Sequence, residues 1–413
     1  MERDQDSPVV VVGAGIVGCS IAVHLLDRGV RPVLIDADRP GQGASAGSFA
    51  SISALGKDPA AYFRLAVAGV SGWSRFAERL GGEVGLRRDG EVRVAGDPAE
   101  GRVLAARVEE ARGRGYPVRM VERDELGRLL PDARLGPVAA ACFAPNDGQV
   151  EPPLVLAACR AELERAGARL LLGRPARVRL GDDGVRVEVG EQRLRPRVTV
   201  LAAGAEAGQV AAAVGLDVPT VASPGLLVES RPLPPLTDKV VYLPGGPGPP
   251  VHLRQRPDGR VLVGERSQET VASDPGHRRA RSLLAQAARY FPALAGVPVE
   301  RWWLAWRPCR PTACRSSAPA PAGLAVPGRD PQRGHPGPGA GPAGRPGGRR
   351  RPRRRGAGPV PPGPLRRADD QGHARGRVGV PRADPPGPLD LSWPHAAGSG
   401  QLCTGSPVRC RSR

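Results

Sequence analysis

The amino-acid sequence predicts an α/β fold with a parallel nucleotide-binding unit, a second, mostly antiparallel α+β region, and a C-terminal tail of different composition. Three observations carry this prediction. The stretch from Pro8 to Asp36 reads as strand, glycine turn, helix and second strand. A similar strand, turn and helix recur from Val198 to about Val214. Between Leu226 and Val263, short apolar runs alternate with turn residues such as Asp258-Gly259.

In the first stretch, Val9 to Val12 form an apolar run suited to a strand buried on both faces. The turn Gly13-Ala14-Gly15-Ile16-Val17-Gly18 has GxGxxG spacing. The first glycine permits the tight turn, the second lets backbone approach a pyrophosphate, and the third lets the helix pack on the strand. A pyrophosphate is expected at the helix N-terminus, where unpaired N–H groups and the positive end of the helix dipole favour an anion. Ile16, Val17, Ile21, Ala22, Leu25 and Leu26 are expected on the apolar helical face, with Gly29 as the C-cap. Val33 to Ile35 form the next strand, and Asp36 at its tip is placed to accept hydrogen bonds from a ribose diol. Together these make a Rossmann-like unit for a dinucleotide; a glycine-rich turn in a plain α/β core is the alternative.

Asp38 to Ser48 is a loop of small residues, including Gly43, Ala44 and Ser45, directly after the ribose-binding strand. It suits close approach to a ligand, with a flexible connection as the alternative. Helices are expected over Ala60 to Leu80, Glu100 to Gly113, Arg123 to Leu130, Pro152 to Ala166 and Arg279 to Tyr290. A hairpin is expected over Val84 to Val94, turned at Asp89-Gly90, and a turn at Asn146-Asp147-Gly148. Strands are expected at Ala168 to Leu172, Ala176 to Val189 with an interruption at Asp182-Asp183-Gly184, Val198 to Leu201, Leu226 to Ser230, Val240 to Leu243, Val251 to Arg254, Val261 to Val263 and Val299 to Trp306.

The 413-residue chain carries a formal charge of +19 and only 3% aromatic residues. From Cys309 onward there are 19 Arg against 5 Asp, which leaves only +5 for the first 308 residues. The basic signal therefore belongs to the tail. An acidic start, MERDQDSP, and the lack of any run of roughly 18 apolar residues make a cytoplasmic protein the expectation. Seven cysteines without paired spacing suggest buried thiols rather than a disulfide framework, and no metal site is expected.

The segments VVVVGAGIVGCSIA with Asp36, GQGASAGS, NDGQVEPPLVLAACRAELERAGARL, VTVLAAGAEAG and RWWLAWRP stand in an order that resembles the D-amino-acid oxidase family of FAD-dependent oxidoreductases. That family includes glycine oxidase, sarcosine oxidase and D-amino-acid dehydrogenase types. The resemblance implies a Rossmann-like FAD-binding domain, discontinuous over residues 1–80, 145–215 and 300–308, and a substrate domain over 81–144 and 216–299. It implies FAD with Gly13, Ala14, Gly15, Ile16, Val17 and Gly18 at the pyrophosphate, and Asp36 and Ala37 at the adenosine ribose. Gly43, Ala44 and Ser45 would lie under the phosphates and flavin, Val178 beside the adenine, and Ala203 and Gly204 at a second backbone approach. Arg307 matches an arginine that pairs with a substrate carboxylate in several members, a role suited to the guanidinium fork; a surface arginine is the alternative. Tyr242 and His252 fall in the substrate sheet, where a structural role is the simpler expectation. The implied chemistry is oxidation of a small amine or amino acid by hydride transfer to the flavin, with oxygen or another acceptor completing the cycle. No catalytic acid or base is implied. The alternatives are an NAD-dependent dehydrogenase and a non-catalytic nucleic-acid-binding protein using Arg349 to Arg355.

From Cys309, 20 Pro and 19 Gly occupy 39 of 105 residues, with no Lys and no Glu. Such a composition predicts a disordered tail. Back-translation offers a sharper expectation. Cys309 to Ala318, read one base earlier, is compatible with a segment like the one that follows W-x-x-x-R-P in the resembling family. Asp330 to Pro338, read one base later, is compatible with Thr-His-Ser-Gly-Val-Thr-Leu-Ala-Pro, which resembles its late flavin-facing loop. A frame-disrupted C-terminus is therefore expected.

Overall fold

The computed structural model describes residues 9–38, 43–245, 248–265, 276–309 and 324–327, and for Arg307 and 324–327 it describes the backbone alone. Elements are numbered in chain order. A five-stranded sheet runs β18 (Leu324–Pro327), β12 (Val198–Leu201), β1 (Val9–Val12), β2 (Val33–Asp36), β8 (Arg169–Leu172). Its four N-terminal members are parallel, and β18 pairs antiparallel to β12. Thus one strand lies inside the segment expected to be tail; the rest of that segment after Cys309 lies outside the described residues.

The four valines of β1 are all buried because both faces of the sheet are covered. Val9 and Val11 join a core with Cys19, Ala22 and Val23 of α1 (Ile16–Leu26) and Val155, Cys159 and Leu163 of α5 (Pro152–Arg165). Val10 and Val12 face a three-stranded sheet, β9 (Ala176–Gly181), β10 (Gly184–Val189) and β11 (Gln192–Leu194), together with α6 (Ala207–Ala212). The strand period of two thus splits one apolar run between two cores.

The buried stripe of α1 differs from the expected one. Gly18, Cys19, Ala22 and Val23 are buried, while Ile16, Val17, Ile21, Leu25 and Leu26 pack only partly. Close approach of the helix to β1 selects its small residues for the interface and leaves the branched ones at the margin. The helix ends as expected near Gly29 (φ 72°), beyond a cap at Asp27.

An eight-stranded sheet runs β17 (Val299–Cys309), β13 (Val221–Pro232), β16 (Arg260–Glu265), β15 (Val251–Gln255), β14 (Val240–Leu243), β4 (Glu91–Ala95), β6 (Ala140–Ala144), β5 (Arg119–Met120). It is antiparallel except between β14 and β4. Leu226, Val228, Val241, Leu253 and Val263 pack there with Leu283 and Leu284 of α7 (Gly276–Ala288) and Leu126 of α4 (Arg123–Leu129). A small ladder of β3 (Ser51–Ile52) and β7 (Gly148–Gln149) is separate from both sheets. The long helices α2 (Ala60–Arg79) and α3 (Pro98–Gly113) complete the described α-helices; α3 starts ahead of the expected Glu100 because Asp97 caps it through Ala99 N and Glu100 N.

The hairpin expected at Val84 to Val94 does not form. Arg87 instead bridges to Gln149, Gly90 N donates to Asp147 O, and the strand begins only at Glu91 to pair with β6 and β14. The Asp89-Gly90 turn (φ of Gly90 98°) redirects the chain between sheets rather than folding it back on itself.

Candidate functional site

The parallel pairing of β1 with β12, Val12 opposite Leu201, sets two strand-to-helix turns side by side at one end of the five-stranded sheet. Gly13 has φ 107°, and a Cβ there would overlap the carbonyl of Ala202. A Cβ on Gly18 would overlap the Gly13 carbonyl. These two glycines are therefore required by the close approach of turn, helix and neighbouring strand. Gly15 differs: it stands at the N-cap of α1, where a Cβ would lie 3.1 Å from Ser45 Oγ. A side chain at Gly15 would thus press on Ser45 at the N-terminus of α1, so glycine keeps the backbone there open to close approach.

Ser45 comes from the small-residue loop, and its Oγ accepts from Ile16 N at 2.9 Å. The hydroxyl thus occupies an amide at the first turn of α1, the position at which an anion is favoured. Gly43 and Ala44 precede it in the same turn, while residues 39–42 lie outside the described set. Asp36 accepts from Ala14 N at 2.6 Å through Oδ2 and from Asp38 N at 2.9 Å through Oδ1. Burial raises its carboxyl above the usual value, offset in part by these two amides. Ala37 follows it at the strand tip. Glu206, on the short turn after β12, is also raised, by burial and by the charges of Asp36 and Asp38.

Ala203 caps that turn and Gly204 (φ 59°) begins it, next to the Ala202 contact with Gly13. Val178 is 2% exposed and packs in the core under the parallel sheet. Its side chain is thus committed to packing, and only its backbone, on the edge strand of its sheet, is left for recognition. Arg307 pairs through its backbone with Ser223; the role expected for its side chain lies outside the described residues.

Several contacts join the glycine-turn side to the eight-stranded sheet, and composition gave no sign of them. Trp303 Nε1 on β17 donates to Gly47 O at 3.1 Å, and a Cβ on Gly47 would lie 2.9 Å from that of Ala305. Arg254, 2% exposed, donates from Nε to Phe49 O at 2.6 Å and from Nη1 to Glu151 Oε1 at 2.5 Å. Glu151 in turn binds Arg256, which binds Glu229 at 2.6 Å, and Glu229 binds Arg301. Phe49 meets the His252 ring edge-on at 4.1 Å, and Tyr242 lies 5.3 Å from it. Arg254 and Arg256, two residues apart at the end of β15, put both guanidinium groups on one face, where both reach Glu151, but no spacing in the sequence announces that partner. Among the described residues no cluster of His, Cys, Asp and Glu could hold a metal. No helix among them is long and apolar enough to cross a membrane.

The chain matches the family profile described as DAO, FAD dependent oxidoreductase, over residues 8–331. It is 28% identical over 330 residues to glycine oxidase of Pseudomonas aeruginosa, covering 76% of this chain and 86% of that one. It is 26% identical over 317 residues to glycine oxidase of Geobacillus kaustophilus, covering 73% and 81%. Its fold superposes on the crystal structure of glycine oxidase from Geobacillus kaustophilus with TM-score 0.67 at 24% identity, covering 74% and 83%. L-proline dehydrogenase from P. horikoshii gives the same score at 22% identity, covering 74% and 82%. The glycine turn with its side-chain-free N-cap at Gly15, the Asp36 strand tip and the paired second turn fit the cofactor that this family uses, and the chain belongs to the DAO family of FAD-dependent oxidoreductases.

Proposed function

We propose that this protein oxidises a small amine or amino acid, of the D-amino acid, glycine or sarcosine kind, by removing hydride from the carbon that bears the nitrogen. The observation that carries this reading is the continuous run of contacts from Ser45 through Phe49 to Ser51, which connects the N-terminus of α1 to Arg254, His252 and Tyr242 of the eight-stranded sheet. Residues 1–80, 145–215 and 300–308 are read as the FAD-binding region, with 81–144 and 216–299 supplying the substrate sheet.

In this reading, Gly13 to Gly18 and the first amides of α1 hold the pyrophosphate, with the Ser45 hydroxyl beside it. Asp36, with Ala37 next to it, accepts from the ribose, Val178 offers backbone to the adenine, and Ala203-Gly204 closes the second side. FAD supplies the hydride acceptor. The substrate loses hydride from carbon and a proton from nitrogen, leaving an imine that water hydrolyses. Arg307, at the end of β17, is the candidate partner for a substrate carboxylate. The profile match over residues 8–331 supports FAD as the cofactor, and neither NAD nor nucleic acid as a partner gains support from these relatives.

Anaerobic bleaching of the holoenzyme's flavin by D-amino acids, glycine, sarcosine and proline tests the substrate class. Bleaching by at least one is expected; bleaching by dithionite alone would overturn the reading. The frame-disrupted reading of the C-terminus is tested by mass spectrometry of the native protein. Peptides matching residues 320–400 of this sequence would overturn it.

A further inference from the structure

Beneath β3 lies a buried polar cluster that the proposed function does not use. Ser53 Oγ is 2.8 Å from Asp147 Oδ2 and 3.3 Å from Glu91 Oε1. Glu91 and Asp147 are 1% and 0% exposed. Arg93 Nε donates to Glu91 Oε1 at 2.6 Å, and its Nη2 donates to Leu55 O at 3.1 Å and to Ser53 Oγ at 3.4 Å. Tyr116 Oη donates to Asp147 Oδ1 and accepts from Ala54 N at 3.4 Å. Glu91 Oε2 is buried and has no hydrogen-bond partner among the described residues.

Donor counting decides the charge state. One hydroxyl hydrogen on Ser53 cannot serve two carboxylates, and one guanidinium cannot neutralise two buried negative charges. A proton on Asp147 Oδ2 resolves both: Oδ2–H donates to Ser53 Oγ, Ser53 donates to Glu91 Oε1, and Tyr116 still donates to Oδ1. The groups facing Asp147 agree. Burial and the Glu91 charge raise its carboxyl to about 7, against the opposing pull of Tyr116, Ser53 and Arg93. Cys142 on β6 is itself pushed up to about 12, chiefly by burial, and so is a neutral neighbour.

The cluster holds three consecutive residues: Ser53 by its side chain, Ala54 and Leu55 by their backbone. Just upstream, Ala50 has φ 61°, the one positive φ at a non-glycine among the described residues. Such backbone persists only where its surroundings over-determine it. Ser51 Oγ lies 3.3 Å from Tyr242 Oη, and the Arg93 guanidinium stands 4.7 Å from the centre of the Tyr242 ring.

We propose that Asp147 and Glu91 share one proton across Ser53, and that this proton makes Asp147 a positioning residue for the strained Ala50–Ser51 segment and for Tyr242. Loss of the proton sets two carboxylates against each other across one hydroxyl, draws the Ser53 hydrogen from Glu91 to the ionised Asp147, and by that repulsion loosens the Ala50–Ser51 segment. That the segment lines a flavin site rests on the function proposed above; the shared proton and the loosening do not.

The test uses the full chain with whatever flavin it carries, between pH 5 and 9. Infrared titration of the wild type is expected to show a buried carboxylic-acid band disappearing with a midpoint near 7. Asp147→Asn is expected to lack it. Hydrogen exchange of peptides spanning residues 48–55, corrected for intrinsic rate, is expected to speed about tenfold above the midpoint in the wild type and to stay slow in Asp147→Asn. Ser53→Ala provides a second variant, keeping the carboxyl band while exchange becomes fast at every pH. Absence of the band, its persistence in Asp147→Asn, or exchange independent of pH in the wild type would overturn the proposal. These outcomes are separate from flavin bleaching, so failure of the substrate assignment leaves them readable.

Discussion

Glu151→Gln probes the ionic chain that joins the helix-α5 side of the molecule to the eight-stranded sheet. Glu151 precedes α5 and binds Arg254 at 2.5 Å and Arg256 at 3.0 Å. Arg254 is 2% exposed, so the substitution leaves a buried guanidinium without the carboxylate it contacts, with only neutral amide and carbonyl oxygens as acceptors. Breaking a buried pair in this way costs about 3–5 kcal/mol. With roughly 2–3 °C lost per kcal/mol for a chain of this size, Tm should fall by roughly 6–15 °C. Thermal unfolding followed by circular dichroism measures it. Glu164→Gln is the control, because its pair with Arg160 is half exposed on both sides and is worth about 0.3–0.5 kcal/mol. Adding Arg254→Met to Glu151→Gln removes the stranded charge, so the double variant should lose less than the two single losses combined. A Glu151→Gln shift no larger than the control, or strict additivity of the pair, would contradict this account.

Three further outcomes are expected. Gly13→Ala forces a side chain into the Ala202 carbonyl at φ 107°, so the purified protein should carry little or no flavin by absorbance, and a fully yellow product would count against the close-approach role. Asp36, raised by burial, should take up its proton at a pH above an ordinary aspartate's. Flavin release on acidification should therefore begin early, and Asp36→Asn should bind weakly with that pH dependence removed, as read by ultrafiltration. Asp147 gives a stability prediction of opposite sign to the usual paired carboxylate. Its folded value of about 7 lies above the ordinary 3.8, so its ionisation opposes folding. The penalty is absent below the ordinary value and complete above about 7. Asp147→Asn should therefore gain on the wild type as pH rises from 5 to 8, by up to about 3 kcal/mol, in urea unfolding. A constant difference across that range would sink it.

The nucleotide-binding half was legible from residues close together in the chain. Four consecutive valines, three glycines at fixed offsets, and Asp36 at the next strand tip are local signals, and the chain folds there as their periodicity dictates. The turn at Asp182-Asp183 and the strands from Val240 to Glu265 were equally legible, because alternation and turn residues need no distant partner. Long-range contacts settled what local pattern could not. The run before Glu91 had hairpin chemistry, yet Arg87 found Gln149, more than sixty residues away, as its pairing partner. Arg254 and Glu151 are separated by 103 residues and Trp303 and Gly47 by 256, so no spacing in the sequence announces either contact. Ordinary residues such as Ser53, Glu91 and Asp147 became a buried proton-sharing cluster only because three separate segments converge where water is excluded and unpaired charge is costly.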